Sequence, residues 1–148
     1  MSAESPSAPG PAAKRIVHFV GDAVRGGCET NCATFIQHAP AQLHHVCALG
    51  GEGGMSAEWR RLGATVTHQD LLRGGWMQFH AGVRALWRDV AMDAAILWSA
   101  VRVPLLVSAR GRSRIPLVLH AGNPFVASRR VRMQFEIAEG LMGAPDGV

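Results

Sequence analysis

The stretch "RIVHFVGDAVRGGCET" (Arg15–Thr30) joins a nearly continuous apolar run to three glycines and then to a helical pattern. The run Arg15–Val20 is typical of a strand that is buried on both faces of a parallel sheet. The glycines at 21, 26 and 27 follow at the point where α/β proteins hold phosphate groups, because unpaired backbone N–H groups and the helix dipole face such a loop. The stretch therefore predicts a strand, an anion-binding loop and a helix.

Strand and helix patterns alternate along the rest of the chain. Strands are predicted at Arg15–Val20, His45–Leu49, Ala64–His68, Ala94–Trp98 and Pro116–His120, and helices at Cys28–Ala39, Ser56–Leu62, Trp76–Ala91, Pro104–Arg110 and Ala127–Met142. This order predicts an α/β fold with a Rossmann-like, doubly wound parallel sheet, in which the first and fourth strands lie side by side. Residues 1–13, rich in Pro, Ser and Ala, predict a disordered arm, and residues 14–148 predict one domain.

The chain of 148 residues carries a net charge of +4, and 14 of its 15 basic residues are Arg. This balance suits nucleotide phosphates, phospholipid surfaces or nucleic acid, or else reflects a genome that encodes Arg in place of Lys. Nucleic acid is the weaker reading, since no aromatic and basic residues interleave. The Arg clusters Ser108–Arg114 and Ser128–Arg132 are either solvated faces or a patch that contacts an anionic membrane.

Three cysteines and the absence of a secretory signal predict a cytoplasmic protein with reduced thiols. The longest apolar stretch, Ala94–Ala109, is interrupted by Arg102 and Pro104 and is too short to span a bilayer. The histidines have no spacing typical of a metal site, and no metal is predicted.

The glycine loop lacks the residues of two well-known phosphate-binding motifs. Gly21 and Gly26 have P-loop spacing, but Gly27 and Cys28 follow where that motif needs Lys and Ser or Thr. The dinucleotide pattern GxGxxG is also absent, although Glu52 follows the second strand, so NAD(P) binding remains an alternative. The loop itself is either a phosphate cradle or a tight structural turn.

Three segments together resemble the N-terminal domain of a GT-B fold, family 4 type (group 1 like) glycosyltransferase. They are "KRIVHFVGDAVRGGCET" from Lys14, "VCALGGEGGMSAEWRRLGATV" from Val46, and "DAAILWSAVRVPLLVSARGRSRIPLVLHAGNPF" from Asp93 to Phe125. The resemblance implies one half of a GT-B architecture, the half that receives the acceptor. It implies transfer of a sugar from a nucleotide-sugar, as co-substrate, to a sugar or lipid-linked acceptor.

The resemblance also implies the positions of the site. Gly26 and Gly27 would offer backbone N–H groups to the donor diphosphate, with Glu29 in the helix behind them. His120 and Asn123 would face the cleft on the acceptor side. Trp98 and Ser99 stand where family members often carry a His motif, and the indole of Trp98 could stack on an acceptor ring. No catalytic residue is assigned.

The donor domain of this family carries two Glu residues eight positions apart, and this sequence has no such pair. We therefore expect that the C-terminal donor domain is absent and that the chain alone has little or no activity; in a split enzyme, a partner would carry the missing domain. A fragment, a truncated gene and a subunit of a split enzyme would each give this pattern. The alternatives are a dinucleotide-binding domain or a non-catalytic binding module left by truncation.

Overall fold

Five parallel strands form the centre of the fold. The computed structural model describes residues 12–98 and 102–120. The strands in these ranges are β1 (Arg15–Val20), β2 (Leu43–Ala48), β3 (Thr65–His68), β4 (Ala94–Leu97) and β5 (Leu117–Leu119). The helices in the same ranges are α1 (Gly27–His38), α2 (Gly54–Arg61), α3 (Trp76–Asp89) and α4 (Val103–Arg110).

The strand order is β3-β2-β1-β4-β5, and every neighbouring pair is parallel. Strand β1 therefore pairs on both sides, with Phe19 opposite Cys47 of β2 and Leu97 of β4. The prediction of a doubly wound sheet with the first and fourth strands adjacent is confirmed. The strand order reverses between β1 and β4, which is where open α/β sheets form a ligand-binding crevice at the carboxyl ends of their strands.

Helices cover both faces of the sheet. On one face α1 and α2 pack through Cys32, Ile36 and Trp59 against alternate residues of the central strands. On the other face α3 and α4 bury Phe79, Val83, Leu106 and other apolar residues against the opposite set of strand residues. The three central strands β1, β2 and β4 thus contribute to both cores, which explains why apolar residues lie on both of their faces.

The element boundaries differ from the sequence predictions by a few residues. Strand β2 begins at Leu43 rather than His45, because the Leu43 N–H bonds the Lys14 carbonyl at 2.9 Å although its side chain is exposed. Helix α3 ends at Asp89. The helix predicted at 127–142 and all but two residues of the predicted arm lie outside the described residues.

Helix α3 has 14 residues, whereas a span of about 20 apolar residues is needed to cross a bilayer. In the described ranges no helix meets the length and hydrophobicity that a membrane span requires.

The loops that follow the strands define what we call the carboxyl edge of the sheet: residues 21–26, 49–53, 69–75, Trp98, Arg102 and His120. The first two loops interlock through their backbones. The Gly50 N–H bonds the Gly21 carbonyl at 2.8 Å, and the Met55 N–H bonds the Ala23 carbonyl at 3.0 Å. A Cβ atom on Gly53 would lie 2.6 Å from the carbonyl carbon of Ala23, so only glycine permits this approach.

The interlocked loops yield a first prediction. Replacing Gly53 by Ala forces the backbone of Ala23 to move, and we expect the free energy of unfolding to fall by roughly 1–3 kcal/mol. Gly54→Ala is the matched control, since a Cβ there meets no atom within 4 Å. It should leave the stability unchanged or raise it by up to about 1 kcal/mol. Urea denaturation of both variants measures the difference, and equal stabilities would contradict the role given to Gly53.

Candidate functional site at the carboxyl edge

The N-terminus of α1 lies at the carboxyl edge and has no side-chain cap. Its N-cap, Gly26, is extended (φ −148°, ψ −178°). Thr30 is the first residue of α1 whose N–H group has a partner among the described residues, and it bonds the Gly26 carbonyl at 3.0 Å. A side chain on Gly27 would meet no atom within 4 Å. Neither glycine has a positive φ. Glycine therefore leaves these N–H groups uncovered rather than relieving backbone strain.

The N-terminus of α2 is used differently, although it also follows a glycine loop. Its Met55 and Ser56 N–H groups bond the carbonyls of Ala23 and Gly53, each at 3.0 Å. The Arg25 guanidinium reaches Glu58 of α2 at 2.6 Å and adds a side-chain tie between the two loops. The second glycine loop therefore supports the first, and the first remains open.

Glu29 lies over Gly26 rather than behind it. Its Oε2 atom lies 2.6 Å from the position that a Cβ on Gly26 would occupy. Glu29 is the third residue of α1, the position from which an acidic side chain folds back toward the N-cap and interacts with the positive end of the helix. Any anion that binds the first turn of α1 meets this carboxylate.

Trp98 and His120 follow β4 and β5 at the same edge. The indole of Trp98 is only 4% exposed, and the imidazole of His120 packs on it with ring centroids 4.7 Å apart. The Nδ1 atom of His120 is buried and has no hydrogen-bond partner among the described residues. Trp98 is therefore buried at the carboxyl edge, and its stacking on an acceptor stays a prediction. Ser99 and Asn123 lie outside the described residues.

A buried chain of hydrogen bonds runs inward from Trp98. The Trp98 Nε1–H donates to His18 Nδ1 at 2.9 Å, and His18 Nε2 lies 2.9 Å from His44 Nδ1. His44 Nε2 lies 2.8 Å from the carbonyl of Ala39, just after α1. Burial, and then the neighbouring His44 and His45, lower the pKa of His18 to about 3. His18 is therefore neutral at ordinary pH.

Arg102 joins two further loops of the carboxyl edge. Its guanidinium donates to the carbonyls of Leu72 and Gly74, both at 3.1 Å, and lies 4.9 Å from the ring centre of Phe79. Arg102 is also one of two non-glycine residues with positive φ among those described (52°). Such a backbone persists only where its surroundings hold it, which here are these three contacts.

The thiols offer little reactivity. Cys28, Cys32 and Cys47 are all free. Burial raises the pKa of Cys47 to about 11 and raises that of Cys32 further. Both therefore stay protonated and unreactive. In the described part of the chain no group of three or more His, Cys, Asp or Glu residues could hold a metal ion.

Sequence reasoning missed His18, His44 and Arg102. The sequence held a usable signal for His18, since a His in the middle of a strand buried on both faces must have a hydrogen-bond partner. No neighbouring residue in the sequence pointed to His44 or Arg102. His44 bonds His18, 26 positions away, and Arg102 bonds Leu72, 30 positions away.

A second prediction concerns acid. Because the His18 pKa is about 3 in the folded chain and 6.5 without burial, the unfolded chain binds more protons between these values. The contribution of His18 to stability is therefore fully present about one unit above pH 6.5 and is lost as the pH drops, at a slope that approaches about 1.4 kcal/mol per pH unit. Burial also lowers the pKa of His45, which adds to the slope in the same direction.

The His18→Gln variant isolates this contribution. Its free energy of unfolding, measured by denaturant at pH 8, gives the packing cost of the change. The same measurement from pH 6 to pH 4.5 should give a smaller slope than in the unmodified chain. Identical slopes would mean that His18 does not titrate as a buried neutral group.

Comparison with known proteins supplies no family for this chain. No protein-family model matches it. No curated protein matches it, and no solved structure does. What the protein does is therefore inferred from the geometry of the carboxyl edge and from the resemblance described above.

Proposed function

We propose that this chain is the acceptor-side, N-terminal domain of a GT-B fold glycosyltransferase. It would take part in transferring a sugar from a nucleotide-sugar to a sugar or lipid-linked acceptor. One observation carries the proposal: the first turn of α1 has uncovered N–H groups at the point where the strand order reverses. The resemblance of residues 14–125 to such enzymes supplies the reaction class.

The open turn suits a diphosphate. In glycosyl transfer from a nucleotide-sugar the diphosphate departs with growing negative charge, and fixed N–H donors stabilise that charge. The N–H groups of Gly27 and Cys28 carry no side-chain cap, and the helix dipole adds positive potential. The contrast with α2, whose Met55 and Ser56 N–H groups are already bonded, supports α1 as the binding element.

Glu29 would tune this binding. Its carboxylate lies at Gly26 and repels a diphosphate that approaches the same turn. A donor therefore binds strongly only when Glu29 moves aside or when cations from a partner domain compensate. On this proposal Glu29 weakens the binding of anions at the turn, so that UDP or GDP alone binds the chain only weakly.

The proposed partners follow from the same reaction class. A second domain, on a partner or elsewhere in the full protein, would hold most of the donor, so that this chain alone has little activity. A lipid-linked acceptor would bring the protein to the cytoplasmic face of a membrane. Arg112 and Arg114 are exposed beyond the end of α4 and are the described cations available to anionic lipid there.

Dinucleotide binding is the second candidate, because the strand order β3-β2-β1-β4-β5 is also that of the dinucleotide-binding fold. In that fold an acid after the second strand holds the ribose. Here Glu52 is exposed and lies 3.4 Å from Arg60. A binding module without catalysis is the third reading.

A third prediction tests the N–H groups directly. Gly27→Pro removes one N–H group, and proline suits this first helical position because Gly26 is extended and the N–H has no partner among the described residues. Gly54→Pro makes the same change at α2, where Gly53 is also extended, and is the matched control. We expect UDP or GDP to bind about tenfold more weakly to Gly27→Pro, the effect of losing one hydrogen bond to a charged group, and with unchanged affinity to Gly54→Pro.

The measurement is a titration followed by amide resonances in ¹H–¹⁵N spectra, which reports millimolar affinity residue by residue. UDP or GDP should shift the amides of Gly27, Cys28 and Glu29 in the unmodified chain. Shifts with NAD⁺ alone would favour the dinucleotide alternative. Shifts with none of the three, or equal losses in both proline variants, would remove the diphosphate assignment.

A fourth prediction concerns Glu29. Glu29→Gln keeps the shape of the side chain and removes its charge. UDP or GDP should then bind several-fold more tightly, because the like charge at the turn is gone. The difference should shrink in 0.5 M NaCl, where surface charges are screened. Weaker binding in Glu29→Gln would show that the carboxylate orders the turn instead of opposing the anion.

A further inference from the structure

We propose that His18 and His44 are positioning residues, which fix the indole of Trp98 and through it the imidazole of His120 at the carboxyl edge. The hydrogen-bond chain from Trp98 to Ala39 has no part in the diphosphate binding proposed above. The positioning role follows from the geometry of these hydrogen bonds alone. Only the interpretation of His120 as a group that faces a ligand rests on the proposed function.

The groups at the two ends of this hydrogen-bond chain determine which nitrogen carries each proton. An indole N–H can only donate, so His18 Nδ1 must accept, and the neutral His18 carries its proton on Nε2. That proton is donated to His44 Nδ1, which leaves the His44 proton on Nε2, facing the carbonyl of Ala39. A carbonyl can only accept. One arrangement of protons therefore satisfies all three bonds.

This arrangement holds the indole in one orientation. The Trp98 backbone is bonded to β1, with its N–H 2.9 Å from the Phe19 carbonyl, and its side-chain N–H is bonded to His18. The His18 and Trp98 rings lie side by side, with centroids 6.0 Å apart and planes 28° apart, and Phe35 of α1 meets both rings edge-on. Backbone and side chain are thus fixed independently.

His120 depends on Trp98 for its own orientation. Its backbone N–H bonds the Leu97 carbonyl at 2.8 Å, which fixes only its main chain. Its imidazole packs on the indole at 4.7 Å with the ring planes 39° apart, and no described residue bonds its Nδ1 atom. The packing contact therefore sets the direction of the ring, and a shift of Trp98 is passed on to His120.

Two substitutions of His18 separate this role from ordinary packing. In His18→Gln the side-chain carbonyl can accept from Trp98 and the amide can donate to His44. His18→Leu fills similar space and offers neither. We expect the Trp98 indole N–H to exchange with solvent at least tenfold faster in His18→Leu, and the ring resonances of His120 to shift. His18→Gln should restore both readings toward those of the unmodified chain.

Ile36→Val is the matched control, because Ile36 is buried on the same face and takes no part in the chain of bonds. It should leave the indole exchange and the His120 resonances unchanged. If it moves them as much as His18→Leu does, or if His18→Gln fails to restore them, His18 is ordinary core and the proposal is overturned. Should His18→Leu not fold, His44→Leu tests the next link, with the same two readings and a smaller expected effect.

These spectra are recorded without nucleotide, so they do not depend on the proposed transferase function. Failure of UDP or GDP to bind would remove that function and leave the positioning role intact. Unchanged indole exchange in both leucine variants would remove the positioning role and leave the diphosphate site untouched.

Discussion

The pairing of β1 with both β2 and β4 is the constraint on which the rest of the structure depends. Parallel pairing on both sides buries β1 from Val17 to Val20 and brings the carboxyl ends of three strands to one edge. It also sends α1 and α2 to one face and α3 and α4 to the other, since crossovers in both directions are right-handed. The open turn of α1 and Trp98 lie at the same edge for this reason, and the pairing of β5 with β4 brings His120 to them.

The two glycine-rich loops at that edge have opposite roles, although their sequences are alike. In the second loop Gly50 and Gly53 are needed because the first loop approaches within contact distance of their backbones. In the first loop Gly27 faces open space. One set of glycines permits close packing, and the other leaves hydrogen-bond donors exposed. Backbone packing of this kind gives the first loop a fixed position, and its Arg25 side chain adds a contact with Glu58.

The polar chain on the α1 face is the costly feature of the core. Three buried polar rings replace apolar side chains, and each would destabilise the fold if its nitrogen atoms were unpaired. All four nitrogens of His18 and His44 have partners, so the burial is tolerated. A pair of apolar residues would fill the same space with no risk of protonation. The arrangement therefore gives the fold a defined orientation of Trp98 that apolar packing would leave less specific.

The order of strands and helices was fixed by the sequence itself, because the spacing of apolar residues is a local property and each element shows it without its neighbours. The adjacency of the first and fourth strands was predicted from the Rossmann-like pattern, because right-handed connections alone also allow other strand orders. The roles of individual residues did not follow. Gly27 and Gly53 look alike in sequence and differ only in what approaches them. His18 meets partners 26 and 80 positions away, and a shift of the β1–β2 register by one residue would turn His44 to the other face. Such contacts depend on register and strand order together, and those are decided only when the whole sheet has formed.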